Sequence, residues 1–578
     1  MSSHLLCILR RLDPNIVLIT VFALLNSARV WLLRDVIWDD NCWLQIIYAT
    51  SGLKEFLDLG FVELRREPLG IALYPLLSLH KTSSLFYAAW HSLNMLTEIA
   101  SPIFVYVFVT NLTGHHRRIG LLAALAFTGL HLDHTLGYAS AMNYRMGLLL
   151  SLLSLYLTER GVAGERVRIS YLAGALFATW IGNFVFMEAM VAIEPARLLL
   201  IGYLLSRRVL SRRELAHKTF SIAMPFLLLG IMLIFYKLMF KPFGLYDGAY
   251  AHHFQWQLVG RNLASLLYFE RRELLQALHY WSAGSVGAGL VAGLLGVWVG
   301  VRLSSTATSQ DQTPRPLPAT SWYRTFRTLL DTHRPPLMIG LALLVFPLVL
   351  LIYADRALGG NMNSSHAAPL QIGWSMIAGT VLWASYATLF EKPGFGKPLG
   401  IVLIASLLGL GTFANNKYLD LYLQSWNAQS NFWRIFQARI PRLPDGTVVF
   451  FDVDDGAEFS DLRIYYDFEF QMNLAYGTEV GTESFHRYRA YTMEESRRLA
   501  GRKAADDGSI DRETHFGKER LNAHDMLVVR YRPGEFLVNR EILAAYPTIE
   551  YRDWLDKDVP APLPAAIYPL RQRLEDPP

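Results

Sequence analysis

Asp39 and Asp40 follow directly on Trp38, just beyond the first long apolar run of the chain. Two adjacent carboxylates at a bilayer surface, beside a lipid-soluble substrate, suit deprotonation of a hydroxyl or retention of a cation. The competing reading is an interfacial loop with a Trp anchor and two solvated acids. A second polar group comes at His131-Leu132-Asp133-His134-Thr135, followed by Asn143-Tyr144-Arg145. Imidazoles and a carboxylate this close together at a membrane boundary are costly unless they face a cavity or a partner. They are also ordinary metal ligands. One such cluster cannot complete a coordination sphere, so a divalent cation would need Asp39 or Asp40 beside His131, Asp133 and His134. Otherwise the cluster is a polar turn that caps two helices.

Further polar residues fall inside apolar runs. His91, Asn94 and Glu98 are spaced to share one helical face. Membrane helices also use such residues as hydrogen-bond partners for one another. Glu188 stands at the turn between the fifth and sixth runs. Arg66, Arg145 and Arg356 could hold a phosphate through charge-assisted hydrogen bonds, or could anchor the chain at the interface.

The elements that must position these residues are membrane helices. The chain has 578 residues, 52% of them hydrophobic, and a mean hydropathy of +0.24. That is too apolar for a soluble protein and too long for a single core. Apolar runs near 15–33, 84–110, 119–133, 142–158, 169–186, 188–205, 219–240, 282–302, 336–353, 372–390 and 398–414 read as eleven spans. A shorter stretch at 69–79 reads as interfacial or re-entrant. Basic clusters at Arg10-Arg11, Arg117-Arg118, Arg160 to Arg168, Arg207 to Arg213, Arg315 to Arg334 and Lys392/Lys397 fall on alternate connections. Such connections face the cytoplasm. The N-terminus is then cytoplasmic and residues 415–578 extracytoplasmic. Those residues hold 21 Lys and Arg against 27 Asp and Glu, so the membrane part alone is basic. A basic membrane part fits phospholipid contact and no nucleic acid. Cys7 and Cys42 fall on opposite sides of the membrane in this arrangement and imply no disulfide or metal framework.

Three stretches outside the membrane are large enough to build a site: 34–83, 241–281 and the tail from 415. The middle one carries Tyr246-Asp247, His252-His253, Trp256 and Glu270 to Glu273, with the pattern of a helix on the membrane surface. In the tail, Leu419 to Ile440 reads as a helix, Thr447–Val453 and Met526–Tyr531 as strands, and 461–476 as a helix. Asp452, Asp454 and Asp455 form an acidic turn, more often solvent-facing than cation-binding. The fold class expected is therefore mainly α, a polytopic membrane protein of about eleven spans over 1–414. A small α/β domain over 415–578 completes it.

Four motifs in this order resemble the integral-membrane GT-C glycosyltransferases, most of all the branch of tetratricopeptide-type O-mannosyltransferases and their bacterial relatives. Ile37-Trp38-Asp39-Asp40 stands at that branch's acid pair, and Arg66-Glu67-Pro68-Leu69 resembles its Tyr-Arg-Pro-Leu step. Trp90 to Asn94 resembles its His-Leu-x-Asn segment, and His131 to Thr135 with Arg145 resembles its His-Pro-x-His-x-Glu…Arg motif. The chain departs from the pattern in three ways. Leu136 stands where Glu is expected, Arg145 lies one residue late, and Ser364 replaces an Arg in a later motif, leaving Arg356 or His366 to substitute. The repeats of that branch are missing.

The resemblance implies inverting transfer of a sugar from a polyprenyl-phosphate-linked donor to a hydroxyl acceptor, in a bacterial inner membrane. It implies Asp39 or Asp40 as the base and Arg66 and Arg145 at the leaving phosphate. His91, Asn94, His131, Asp133, His134, Arg356 and His366 would contact substrate, with a divalent cation an open question. A polysaccharide polymerase or O-antigen ligase is an alternative kept alive by the 241–281 stretch. A lipid-linked-glycan transporter would place its charges at the midplane of broken helices and show internal repeats, and neither is visible here.

Overall fold

The computed structural model describes residues 13–32, 39–82, 85–133, 136, 141–240, 256–265, 282–305, 322–354, 358, 361–390, 395–453, 465–476, 488–492, 509–514, 517–522, 526–532 and 535–539. Most of them are helical. The first helix, α1 (Pro14–Ser27), starts where Asp13 caps the amide of Asn15 and Pro14 supplies its fixed φ. It ends in a 3₁₀ turn, Ala28–Leu32. Three short helices follow: α2 (Asp39–Ala49), α3 (Leu53–Gly60) and α4 (Glu67–Thr82). The stretch expected to be interfacial thus lies in α4. Next come α5 (Leu85–Leu112), α6 (Arg117–Gly129), α7 (Met142–Val162) and α8 (Ile169–Trp180).

From Trp180 the chain passes through a π turn (Ile181–Phe186), an extended Met187 and a 3₁₀ turn (Glu188–Ile193) into α9 (Glu194–Ser206). A Ser211–Glu214 capping box opens α10 (Arg212–Met239). α11 (Ala283–Ser305), α12 (Trp322–Thr332) and α13 (Arg334–Tyr353) precede a ten-residue 3₁₀ segment (Asn361–Leu370), α14 (Gln371–Phe390) and α15 (Gly396–Arg439). In the 241–281 stretch only 256–265 are described, and they are helical.

Eight of these helices or helical runs are long and apolar enough to cross a bilayer: 14–32, 85–112, 169–186, 188–206, 212–239, 283–304, 334–353 and 396–439. The other three expected runs also form helices, α6, α7 and α14, but less apolar ones. Every residue of α6 from Arg118 to Gly129 is buried. Glycines let α6 and its neighbours approach this closely: a Cβ on Gly379 of α14 would stand 2.4 Å from the Ala123 backbone, and one on Gly411 of α15 2.2 Å from the Gly129 carbonyl.

Among the described residues, the basic connections after α5, α7 and α9 converge on one end of the bundle. There Tyr203 donates to the Leu112 carbonyl, Arg208 to the carbonyls of Val162 and Gly164, and the His116 and His333 rings meet edge-on at 5.1 Å. Arg117 faces Asp13 at 3.8 Å. Residues 39–82 and the sheet domain gather at the opposite end.

The cut expected at 414/415 falls inside α15, a single helix of 44 residues. At 1.5 Å per residue it is about 66 Å long, roughly twice the hydrocarbon core. Its C-terminal turns enter the sheet domain, where Phe432, Trp433 and Phe436 pack on Val449, Phe451, Leu527 and Val529. The strands are β1 (Val448–Val453), β2 (Arg489–Thr492), β3 (Ser509–Thr514), β4 (Gly517–Asn522), β5 (Leu527–Arg532) and β6 (Glu535–Val538). Four of them form a sheet in the order β2-β1-β5-β6, with β1 parallel to both β2 and β5 and β6 antiparallel to β5. β3 and β4 pair as a separate hairpin. Between β1 and β2 runs α16 (Tyr465–Tyr476).

Candidate functional site

α5 turns one polar face into the bundle. His91, Asn94 and Glu98 on it are all buried. Glu98 is the hub: its Oε1 lies 3.2 Å from Arg145 Nε and its Oε2 3.5 Å from His131 Nε2. Arg145 also faces Asp133, with Nη2 3.6 Å from Oδ2. His131 Nδ1 donates to the Asp133 carbonyl at 2.5 Å. The Arg145 side chain is 3% exposed and that of Asp133 2%, so the guanidinium and the carboxylates face one another away from bulk solvent. Three elements supply the group. α5 carries Glu98, α7 carries Arg145, and the turn after α6 carries His131 and Asp133.

That turn is held from behind by Gln371, the first residue of α14. Its amide donates to the carbonyls of Phe127 (2.7 Å) and Leu130 (3.2 Å), which the end of α6 leaves without helical partners, and its oxygen accepts from the Leu132 amide at 2.8 Å. Asn26, Thr128, Asn415 and Tyr418 join Glu98, His131 and Asp133 around a cavity of about 30 Å³, room for about two water molecules.

A second polar group lies where α8 gives way to α9. Arg66 donates to Glu188 Oε1 through Nη2 (2.7 Å) and Nε (3.1 Å), and Lys237 Nζ approaches the same oxygen at 3.5 Å. Two cations on one carboxylate leave a net positive charge at three partly exposed side chains.

Between α2 and α4 the Tyr48 hydroxyl meets His80 Nδ1 at 2.9 Å, and His80 Nε2 meets the Tyr87 hydroxyl at 3.2 Å. Burial lowers the His80 pKa to about 4 and raises that of the Tyr48 phenol. This knot belongs to a packed cluster that joins Leu44 and Ile47 of α2 to Trp90 of α5 and Met142 of α7. The helix that begins at the acid pair and the helices that carry the charged hub therefore share one core.

No family model matches this chain, and no curated protein matches it. Among solved structures, ArnT from Cupriavidus metallidurans in the apo state aligns over 82% of this chain and 84% of its own, at 11% identity and a TM-score of 0.35. The same protein bound to undecaprenyl phosphate aligns over 93% and 96%, at 10% identity and a TM-score of 0.39. Likeness at this level decides neither fold nor activity.

The residues singled out in the sequence divide as follows. Asp39 and Asp40 are the first two residues of α2, an end that favours negative charge; their side chains, and His134 and Arg356, lie outside the described residues. His91 rests 5.8 Å from the Trp31 ring, and Asn94 donates to the Leu136 carbonyl at 3.4 Å. His366, on the 3₁₀ segment, has its ring 6.2 Å from that of Tyr144. The structure thus joins His131, Asp133 and Arg145, and engages Arg66 in a separate group with Glu188.

The described part of the expected metal set fits a divalent cation poorly, because the Arg145 guanidinium already faces Asp133 and the Asp133 carbonyl takes one nitrogen of His131. In the tail, Asp452 is paired with Arg530 (2.8 Å) and Arg532 (2.9 Å). Partial burial opposes its charge, but hydrogen bonds from Arg532 and Arg530 prevail and hold its pKa below the usual range. Asp454 and Asp455 lie outside the described residues.

Sequence reasoning left three participants without a role. Glu98 was visible through its helical spacing with His91 and Asn94 but resembled ordinary packing. Gln371 and Lys237 carry no local signal: Gln371 meets Leu132 across 239 residues, and Lys237 meets Glu188 and the Arg65 carbonyl, 172 residues away in the chain.

Proposed function

We propose that this protein is a membrane glycosyltransferase of the GT-C type. It moves a sugar from a polyprenyl-phosphate-linked donor to a hydroxyl acceptor on the extracytoplasmic face of the bacterial inner membrane, with inversion at the anomeric carbon. The observation that carries this reading is the shared core, which anchors the acid-pair helix beside a buried charged hub and near a surplus of cationic charge at one end of the bundle. In the reaction the acceptor oxygen attacks the anomeric carbon as Asp39 or Asp40 takes its proton. The bond from that carbon to the phosphate oxygen breaks, and the polyprenyl phosphate leaves with the electron pair.

Arg66, with Lys237 beside it, meets the growing phosphate charge. Arg145, committed to Glu98 and Asp133, keeps the His131 turn in place. Contact with the sugar is assigned to His91, Asn94 and His366, with His134 and Arg356 as further contacts. The N-terminus and the basic end face the cytoplasm.

Purified protein in nanodiscs with a panel of labelled polyprenyl-phosphate sugars tests this. Wild type transfers or releases one sugar, and either Asp39→Asn or Asp40→Asn slows the step by about 10²–10⁴-fold while donor binding persists. Equal turnover by both variants and wild type would refute the assignment.

A further inference from the structure

Helix α16 faces two cores. Phe468 and Met472, four residues apart, lie in the sheet domain with Phe432 and Trp433 of α15. Phe470, between them, is also fully buried, but in the other cluster, which is built on Leu44, Ile47 and Tyr48 of α2 and extends to Phe86 and Trp90 of α5. Its ring centroid stands 6.1 Å from that of Tyr48, whose hydroxyl is in turn held by His80. The sheet domain therefore has two buried attachments: Phe470 fixes it to α2, and α15 joins it to the bundle as one unbroken helix. A domain that closes over a site moves about a hinge of a few terminal or loop residues and presents a separable interface. Here the interface is a side chain sunk in the other body's core.

We infer that the C-terminal domain is a fixed wall of the site rather than a lid. Phe470 is a positioning residue that sets α2, and so the acid pair at its start, against α5. This rests on the proposed reading only in giving the acid pair the role of base.

The test is a Tyr48→Cys/Phe470→Cys pair in a Cys7→Ser/Cys42→Ser background of the full chain in nanodiscs, joined by a short bis-maleimide that alkylates both thiols. Free, the pair loses at least tenfold in kcat with the donor KM within about twofold; joined, it regains most of that loss. A lid gives the opposite pattern, with turnover falling on closure, and that result overturns the inference.

Hydrogen exchange supplies an arm that needs no activity. Phe470→Ala speeds exchange in 44–50 at least tenfold while 448–453 and 527–532 stay protected, and Phe470→Leu restores most of the protection. Loss of protection in the strands as well, or none in 44–50, also overturns it. If wild type transfers no sugar, the functional reading fails while the exchange arm still decides the docking.

Discussion

Glu98 is the residue on which the charged hub depends. Glu98→Gln removes the negative charge between Arg145 and His131 and keeps a single acceptor oxygen for the two of them, leaving Asp133 as the carboxylate that faces Arg145. A buried pair broken from one side costs about 3–5 kcal/mol, so the thermal midpoint in detergent should drop by several degrees; an unchanged midpoint would show that the hub adds no stability. Gln371→Leu removes three hydrogen bonds at one site. Exchange at the Leu132 amide should then rise at least tenfold while α14 stays protected. His80 adds a pH dependence. Folded, it titrates near 4; unfolded, near 6.5. The unfolded chain takes up the proton first, so this contribution is complete above about pH 6.5 and is lost as pH falls toward 4, by up to about 3 kcal/mol. Thermal midpoints of wild type and His80→Asn at pH 7.5 and 4.5 check it, and the variant should show the flatter dependence.

Helices depend on contacts their own sequences do not announce. α6 is only 13 residues long and sits inside the bundle because Gly379 and Gly411 let α14 and α15 reach its backbone. Gly379→Ala should cost about 1–3 kcal/mol through overpacking, and Gly379→Leu should abolish the folded monodisperse peak in size-exclusion chromatography. A normal peak would mean that α14 can shift away from α6. Another internal device is Arg197, 1% exposed, which grips Glu194 (2.6 and 3.0 Å), Thr158 (2.6 Å) and Thr179 (3.1 Å) across three helices. Fully paired, such a charge can stay inside the membrane part.

At the scale of the molecule, charge divides the two ends. The end bearing Arg117, Arg166, Arg168, Arg207 and Arg212 should face the cytoplasm, with the sheet domain on the other side. Cysteines introduced at His115 and Asp511, in a Cys7→Ser/Cys42→Ser background, test this with a membrane-impermeant thiol reagent. The Asp511 position, whose side chain is 82% exposed, should be labelled in spheroplasts, and the His115 position only in inverted vesicles. The reverse pattern would place the acid pair on the cytoplasmic side.

Local properties reached the sequence directly. Apolar runs fixed eleven helices because burial in lipid or protein demands continuous hydrophobic length, and the alternation of basic connections agreed with the end on which they converge. The strands at Val448–Val453 and Leu527–Arg532 were legible from β-branched runs beside turn residues. His131, Asp133 and Arg145 were found because polar residues at a membrane boundary need a partner. Which partner was decided by tertiary structure alone. Glu98, Gln371 and Lys237 act across separations from 33 to 244 residues, and no local pattern encodes such a meeting. The same holds for the unbroken α15 and for Phe470. A polar stretch after an apolar one reads as the end of a span, but packing against the sheet domain carries the helix onward, and only the assembled cores show which one a buried aromatic fills.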